Sequence, residues 1–259
     1  MEARGEGRWK ALGKRALAIL FWLLAWQALS AAVDQQILLV SPLSALTTLA
    51  RLMGSADFYR AVALSFGRIL LGFSLAVAAG VILGILAARF SLIRALLGPL
   101  MAAIKATPVA SFVILALVWI SARNLSVFTG FLMVLPVIYL NVVQGLQSAD
   151  EKLLQMARAF DLGLGKRARA IYLPALFPYF LTGCQLSLGI CWKAGIAAEV
   201  IGQPAGSIGD KLYRAKLFLS TDELFAWTVA VVLLSVALEK AVLCLIGRLQ
   251  RLYGGGEAA

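Results

Sequence analysis

The sequence predicts an all-α integral membrane protein with six transmembrane helices and with both termini in the cytoplasm. Of its 259 residues, 61% are hydrophobic and only 14% are charged, whereas soluble domains carry about 25% charged residues. Several apolar runs reach roughly 20 residues, the length that an α-helix needs to cross the hydrocarbon of a bilayer. No polar stretch is long enough for a separate soluble domain, so one membrane domain with short loops is expected.

Six apolar segments are the predicted spans, near residues 16–33, 66–88, 102–121, 125–146, 176–199 and 224–246. The first follows a basic stretch and resembles a signal peptide, but its apolar part is long for one, so we expect an uncleaved helix. After it, Ser41-Pro42 opens a short amphipathic pattern that predicts a helix on the outer surface. Pro108 and Pro136 are expected inside spans, where neighbouring helices can satisfy the carbonyls that proline leaves free.

The spans divide the chain into three predicted regions. Residues 1–60 hold the N-terminal cytoplasmic segment, the first helix and the outer amphipathic segment, residues 61–247 form the core, and residues 248–259 form a cytoplasmic tail. Within the second span, Gly72, Gly80 and Gly84 form a stripe of small residues that suits close contact with another helix. The alternative, that glycine is simply common in membrane helices, stays open at this point.

The formal net charge of +11 follows the predicted topology. Most lysine and arginine residues fall in segments that we predict to be cytoplasmic, as the positive-inside rule requires. The charge therefore gives no reason to expect a nucleic-acid partner, and membrane lipid is the expected environment. Arg68 lies near the outer end of its predicted span, where its guanidinium is expected to reach the interface.

The residue types needed for bond chemistry are missing from the sequence. Histidine is absent, so neither a Ser-His-Asp set nor a Cys-His pair can form. The three cysteines, Cys184, Cys191 and Cys244, all lie in apolar segments without zinc-ligand spacing. We therefore predict no catalytic residues, no metal site and no cofactor in this chain.

The segment from Asp150 to Pro174 is the most informative loop, because it is basic, contains glycines and lies between two apolar spans. Residues 151–160 show a helical pattern, and Asp161 to Gly165 provide turn residues. Lys166 to Tyr172 then predict a short basic helix, and Pro174 is expected to begin the next span. The result would be a small helix-turn-helix projecting from the membrane into the cytoplasm.

This loop resembles the EAA loop of ATP-binding-cassette importer permeases. That signature runs Glu-Ala-Ala, three residues, Gly, nine residues, Ile, one residue, Leu-Pro. Counting back from Leu173-Pro174 places Gln155-Met156-Ala157 at the Glu-Ala-Ala positions and Asp161 at the glycine position. Ala157 and Leu173-Pro174 match, whereas Gln155, Met156 and Asp161 depart from the signature, and we expect Gly163 and Gly165 to supply the turn instead.

Further motifs extend the resemblance over roughly residues 60 to 245. The chain is similar to permeases of the nitrate, sulfonate and taurine importer group in these segments: Ser65-x-x-Arg68-x-x-x-Gly72, Lys105-Ala-Thr-Pro108, Pro136-x-x-Tyr139-Leu-Asn141-x-x-x-Gly145, and Ala197-Ala198-Glu199-Val200-Ile201-Gly202. Each motif is weak alone, and their order and spacing make the match specific.

The resemblance implies a type I importer permease fold and a multi-pass protein of the bacterial plasma or inner membrane. It also implies an ATPase dimer below, an extracytoplasmic substrate-binding protein above and a second permease subunit, which we expect to be identical. ATP and Mg²⁺ would be held by the ATPase, since this sequence has no GxxxxGK[ST] loop. The implied ATPase-coupling residues are Gln155, Met156, Ala157, Asp161, Gly163, Gly165, Ile171, Leu173 and Pro174.

The fifth predicted span is the best candidate for a translocation path. Gln185, Gly189, Trp192 and Glu199 recur at helical spacing, and Lys193 lies beside Trp192, so polar and small residues share one face. The alternative is that this face joins helices at a subunit interface. Two further candidates stay open: Lys105 could line the inner vestibule or extend to the interface, and Asn141 could line the path or bond a neighbouring helix.

Two other classes of protein remain as alternatives. A secondary transporter or channel independent of an ATPase would need a paired repeat or an acidic proton relay inside its spans, and neither is evident. An intramembrane hydrolase would need a histidine, Asp-Asp or Ser-Lys set at depth. For an importer, the basic residues suit a small organic or inorganic anion resembling nitrate, sulfonate or taurine, although the resembling family also takes up vitamin precursors.

Overall fold

The computed structural model describes residues 3–35 and 37–253, and all the secondary structure in that part of the chain is helical. The helices are α1 Ala3–Val33, α2 Pro42–Met53, α3 Ala56–Arg89, α4 Ser91–Ala106, α5 Val109–Ala116, α6 Ala122–Gln147, α7 Glu151–Ala159, α8 Leu164–Arg167, α9 Leu173–Gly202, α10 Ile208–Leu217 and α11 Thr221–Tyr253. The second half of the predicted tail, residues 254–259, lies outside the described residues.

Four of these helical stretches are long and apolar enough to cross a membrane: Ala56–Arg89, Ala122–Gln147, Leu164–Gly202 and Thr221–Cys244. The bent pair α4 and α5 makes a fifth crossing if it is one span. The first predicted span coincides with Leu17–Val33, a shorter apolar stretch of α1. A helical fold with four or five apolar helices of membrane-spanning length is thus confirmed for the described residues, whereas six crossings and the orientation of the termini stay predictions.

The third predicted span, 102–121, is not one straight helix. It begins earlier, at Ser91, and breaks between Ala106 and Val109 with a bend of 102°. Pro108 is the cause, because proline has no N–H for the helix and forces the residue before it into an extended conformation. Thr107 is extended with ψ 127°, and its hydroxyl donates to the Ala103 carbonyl at 2.8 Å. Only Pro136 lies inside a helix as predicted.

The glycine stripe of α3 makes the predicted close helix contact. A Cβ on Gly72 would clash with the Val127 carbonyl, and a Cβ on Gly80 or on Gly84 would come within 2.8 Å of a side chain of α6. The contacts advance in the same order along both helices, so α3 and α6 run parallel. Small residues allow this approach where lipid supplies no hydrophobic drive for association.

Helix α9 packs antiparallel along α6, again over glycines. Gly183 of α9 lies 3.0 Å from the Asn141 side chain, measured from the position of an added Cβ, and Gly130 of α6 meets the Cys191 sulfur at 2.9 Å. At the start of α6 and the end of α9, Leu125 and Ala198 form a buried cluster with Val113 and Ala116 of α5. These three helices form the core that positions the candidate site.

The chain divides into two compact units, residues 1–59 with 211–232 and residues 60–210 with 233–259. The first unit is joined by polar contacts: Trp26 Nε1 donates to the Val40 carbonyl at 3.0 Å, and the Thr48 hydroxyl donates to Asp222 at 3.1 Å. The second unit contains α6, α7 and α9. Helix α2 begins as predicted, because the Ser41 hydroxyl accepts from the Ser44 N–H at 3.2 Å.

We expect Gly72→Ala to destabilise the protein, because the added methyl meets the Val127 carbonyl of α6. Overpacking of this kind costs about 1–3 kcal/mol, which should lower the melting temperature of the purified chain in detergent. Gly67→Ala is the matched control on the same helix, since nothing lies within 4 Å of its added Cβ. Equal melting temperatures for the two variants would contradict the close α3–α6 packing.

Candidate functional site

Helix α7 projects as a short helix with defined ends. At its start the Asp150 carboxylate accepts from the Lys152 N–H at 2.8 Å, a standard N-cap. At its end the Leu162 N–H donates to the Ala157 carbonyl at 2.9 Å and the Asp161 N–H donates to the Arg158 carbonyl at 3.1 Å. This pair of bonds is a Schellman turn, which requires a left-handed residue after the helix.

Asp161 is that left-handed residue, with φ 46°. It is the residue at the glycine position of the EAA signature, so the turn occurs where the signature places it. Our expectation that Gly163 and Gly165 supply the turn is wrong, because Gly163 has φ −60° and Gly165 lies inside α8. Aspartate tolerates the left-handed region better than most residues, which explains how it replaces glycine here.

The chain then continues as one long helix. Leu164–Gly202 is a single 39-residue helical stretch, and Ala168–Tyr172 form a π-helical turn within it. Pro174 lies in the first turn of α9, as predicted, but the π-helical turn joins α9 to α8 without a break. The wide turn explains why no break is needed, because the Leu173 N–H reaches back to the Ala168 carbonyl and widening relieves the clash that a proline ring makes in a regular helix.

Helix α7 presents an exposed apolar face. Leu153, Met156 and Phe160 recur at helical spacing and are exposed, Phe160 to 75%. Leu164, just beyond the turn, is 84% exposed. Ala157 is fully buried on the other side. The remaining predicted coupling residues also differ in exposure: Ile171 is buried, whereas Gln155, Leu173 and Pro174 are exposed.

Burial separates the residues that we predicted to line a path on the fifth span. Gln185 and Lys193 are exposed and Gly189 is half-buried, whereas Trp192 and Glu199 are buried. Exposed positions follow a stripe along α9 that also includes Thr182, Leu186, Ile190 and Ala197. The heptad spacing of the predicted residues drifts around the helix, so the later members turn towards the core.

Glu199 lies at the centre of a buried polar cluster. Ser65 Oγ donates to Glu199 Oε2 at 2.6 Å, and the Gly209 N–H donates to the same oxygen at 3.3 Å. The Arg68 guanidinium pairs with Oε1 at 3.4 Å. The Arg68 side chain is only 13% exposed and is held by this ion pair; its expected reach to the interface stays a prediction.

The sequence analysis named Ser65, Arg68 and Glu199 separately but did not predict that they meet. Ser65 and Arg68 are three residues apart and so share a face of α3, a signal that could have paired them with an acid. Nothing in the sequence indicated that Gly209 meets Glu199.

Lys105 and Asn141 are accessible to different degrees. Lys105 is exposed in the last turn of α4, directly before the bend. Asn141 is half-buried, and its side-chain N–H donates to the Val137 carbonyl of its own helix at 2.8 Å. Because Asn141 also packs on Gly183, it forms part of the α6–α9 contact.

These features describe a helical protein whose long apolar helices suit a membrane, and comparison with known proteins gives its family. Residues 80–253 match the family described as binding-protein-dependent transport system inner membrane component, and the chain belongs to that family. It is an ABC transporter permease, a transport subunit rather than an enzyme.

Several permeases resemble the chain over much of its length. A Bacillus subtilis permease named for aliphatic sulfonates transport, SsuC, is 28% identical over 203 residues, which are 78% of this chain and 73% of the relative. The Escherichia coli taurine transport system permease protein TauC is 24% identical over 250 residues, 94% of this chain and 90% of the relative. The Synechococcus elongatus bicarbonate transport system permease protein CmpB is 29% identical over 159 residues, 61% and 57% respectively.

A solved structure shares the fold. The crystal structure of an amino acid ABC transporter with histidines matches with a TM-score of 0.51 and 18% sequence identity, covering 73% of this chain and 94% of that chain. At this identity the likeness shows the fold alone.

The Schellman turn makes a prediction about Asp161. Asp161→Gly should slow hydrogen exchange at the amides of residues 161 and 162, because glycine adopts the left-handed conformation freely. Asp161→Val should speed it about tenfold, since a left-handed β-branched residue costs roughly 1–2 kcal/mol. Gly163→Ala, whose added Cβ meets nothing within 4 Å, serves as the control. Similar exchange in the glycine and valine variants would show that the turn does not form.

Proposed function

We propose that this chain is the permease subunit of an ATP-driven, binding-protein-dependent importer of the bacterial inner membrane. Two permease subunits would act with an ATPase dimer at the α7 end and a substrate-binding protein at the opposite end. The observation that carries the proposal is the exposed apolar face of α7 in a chain that belongs to this family. Such a face suits a groove on a partner protein.

The geometry of α7 supports a coupling role. The N-cap and the Schellman turn fix both ends of α7, and the turn leads directly into the helix that continues as α9. A rigid element of this kind can pass on the movement of a partner as a rigid-body motion. The sequence has no phosphate-binding loop of its own, so the energy would come from ATP and Mg²⁺ bound to the separate ATPase.

The exposed stripe of α9 supports the proposed translocation path. Gln185, Gly189 and Lys193 lie on or beside it, and polar or charged side chains on an apolar helix ordinarily face protein or water rather than lipid. A second copy of the chain would complete the path. Trp192, Glu199 and Asn141 would support these positions from behind, and Lys105 would add a second positive charge near the bend of α4.

The proposed substrate is a small anion resembling sulfonate, taurine, nitrate or bicarbonate. The names of the relatives and the two exposed lysines in apolar helices support an anion. A vitamin precursor is the second candidate, because in such systems the binding protein would set most of the selectivity. The segment from Gln203 to Asp222 is proposed to receive that binding protein through its charged residues.

We expect Phe160→Asp to abolish co-purification of the ATPase and uptake, because a charge would replace the most exposed ring on the α7 face. Phe218→Asp is the matched control, since Phe218 is 73% exposed but lies between α10 and α11, and it should retain the ATPase. Retention of the ATPase by both variants would show that the α7 face does not hold the ATPase, whereas a wild-type chain that purifies without any ATPase would argue for a transporter independent of one.

We expect Lys193→Ala to reduce uptake of taurine, an alkanesulfonate or bicarbonate about tenfold while leaving the complex assembled, because an anion would lose a charge partner on its path. Lys193→Arg should retain more uptake than Lys193→Ala. Lys240→Ala, which removes an exposed lysine from α11, is the control. Wild-type uptake by Lys193→Ala would remove this residue from the path.

A further inference from the structure

We propose that Glu199 is a positioning residue that fastens residues 203–210 to the end of α9. Through it, movement of α7 would be delivered to the opposite end of the protein. This inference rests on the proposed function, because the movement originates in the ATPase. It assigns to Glu199 a mechanical role rather than the path-lining role that its spacing suggested.

The first step is the continuity of the helix that joins the two ends. Glu199 lies 35 residues beyond Leu164 in one uninterrupted helical stretch, a separation of about 53 Å at 1.5 Å per residue. The Schellman turn attaches α7 to the start of that stretch within four residues. A displacement of α7 would therefore be passed on to Glu199, because the connection is helical throughout apart from the hydrogen-bonded turn at residues 160–163.

The second step is that residues 203–210 pack directly against the end of α9. The chain reverses between Gly202 and Ile208 through two left-handed residues, Gln203 with φ 50° and Gly206 with φ 75°. A Cβ added to Gly209 would overlap the backbone of Glu199. The first turn of α10 thus lies directly on the last turns of α9.

The third step is that the Glu199 side chain, with Ser65, joins the end of α9 to the start of α10. Ser65 Oγ donates to Glu199 Oε2 at 2.6 Å and accepts from the Ile208 N–H at 2.9 Å. Glu199 itself accepts from the Gly209 N–H and pairs with Arg68. Three helices, α3, α9 and α10, therefore meet at a single hydrogen-bonded carboxylate. The N–H groups at the start of α10, which a helix cannot satisfy internally, find their acceptors here.

Local bonds stiffen the fastened segment. The Asp210 carboxylate accepts from the Gly206 N–H at 3.0 Å, and the Asp210 N–H donates to Ser207 Oγ at 3.1 Å. Because its backbone is braced in this way, the segment should move with Glu199 as one body. A side chain that only filled space could be apolar, whereas a buried carboxylate is costly unless its partners are held in place.

Hydrogen–deuterium exchange on the complex purified from native membranes through a tag on this chain tests the role. Exchange is compared between the nucleotide-free complex and the complex trapped with ATP, Mg²⁺ and vanadate. In the wild type, trapping should change exchange both at residues 151–162 and at residues 203–210. In Glu199→Gln the first response should persist, and the second should fall about tenfold, within the range of measured coupling between sites.

Ser65→Ala tests the same link without altering a charge, and it should reduce the response of residues 203–210 in the same way. Glu239→Gln, an exposed acid of α11, should keep both responses. A merely structural role would change exchange at residues 203–210 equally in both states and would leave the response to trapping intact.

Three outcomes would overturn the inference. A wild-type response of residues 203–210 in both Glu199→Gln and Ser65→Ala would show that the carboxylate does not carry the movement. A wild-type complex that responds at residues 151–162 but not at 203–210 would show that no movement arrives there. A complex with no ATP hydrolysis and no response at residues 151–162 would remove the proposed function first, and this inference with it.

Discussion

Every backbone N–H and carbonyl inside the hydrocarbon must find a partner within the protein, because lipid offers none. Long helices meet this requirement by themselves, so each interruption needs a local solution. At the bend after α4 the Thr107 hydroxyl donates to the Ala103 carbonyl. The two turns that we propose to lie outside the hydrocarbon are also bonded within the protein: the Schellman turn supplies the bonds after α7, and Glu199 and Ser65 accept the free N–H groups at the start of α10. Each interruption is therefore a defined hydrogen-bonded structure. Two of the proposed roles, ATPase coupling by α7 and fastening by Glu199, depend on such structures.

Between the interruptions, the helices approach closely because small residues line their contacts. Glycines on α3 face α6, and glycines on α6 and α9 face each other. Apolar helices gain no hydrophobic energy from leaving lipid for one another, so packing depends on such close approach. This close packing supports α9 along the core. A helix that is supported in this way could transmit a movement from one end to the other.

The sequence was sufficient to predict the features that depend on composition and periodicity. Apolar runs predicted the helices, the glycine stripe of α3 suited close contact with another helix, and helical spacing with turn residues predicted α7. The bend at Pro108 and the continuous helix through Pro174 were not predicted correctly, because a proline can end, bend or be accommodated by a helix depending on the surrounding turn. The partners of Glu199 were missed because Gly209 meets it only through the reversal after α9.

The sequence also could not show which residues of α9 are exposed and which are buried, because that depends on where α6 lies. This difference in exposure has an electrostatic consequence for the proposed path. Glu199 and Lys193 are six residues apart on one helix, but the charge of Glu199 is matched inside the protein by Arg68 and by N–H and O–H donors. It therefore leaves the charge of Lys193 largely uncancelled. With Lys105 also exposed, the accessible charge contributed by these residues is positive, and a positive field raises the local concentration of anions. The same carboxylate would thus have two effects: it would fasten residues 203–210 to α9, and it would leave the proposed path attractive to an anionic substrate.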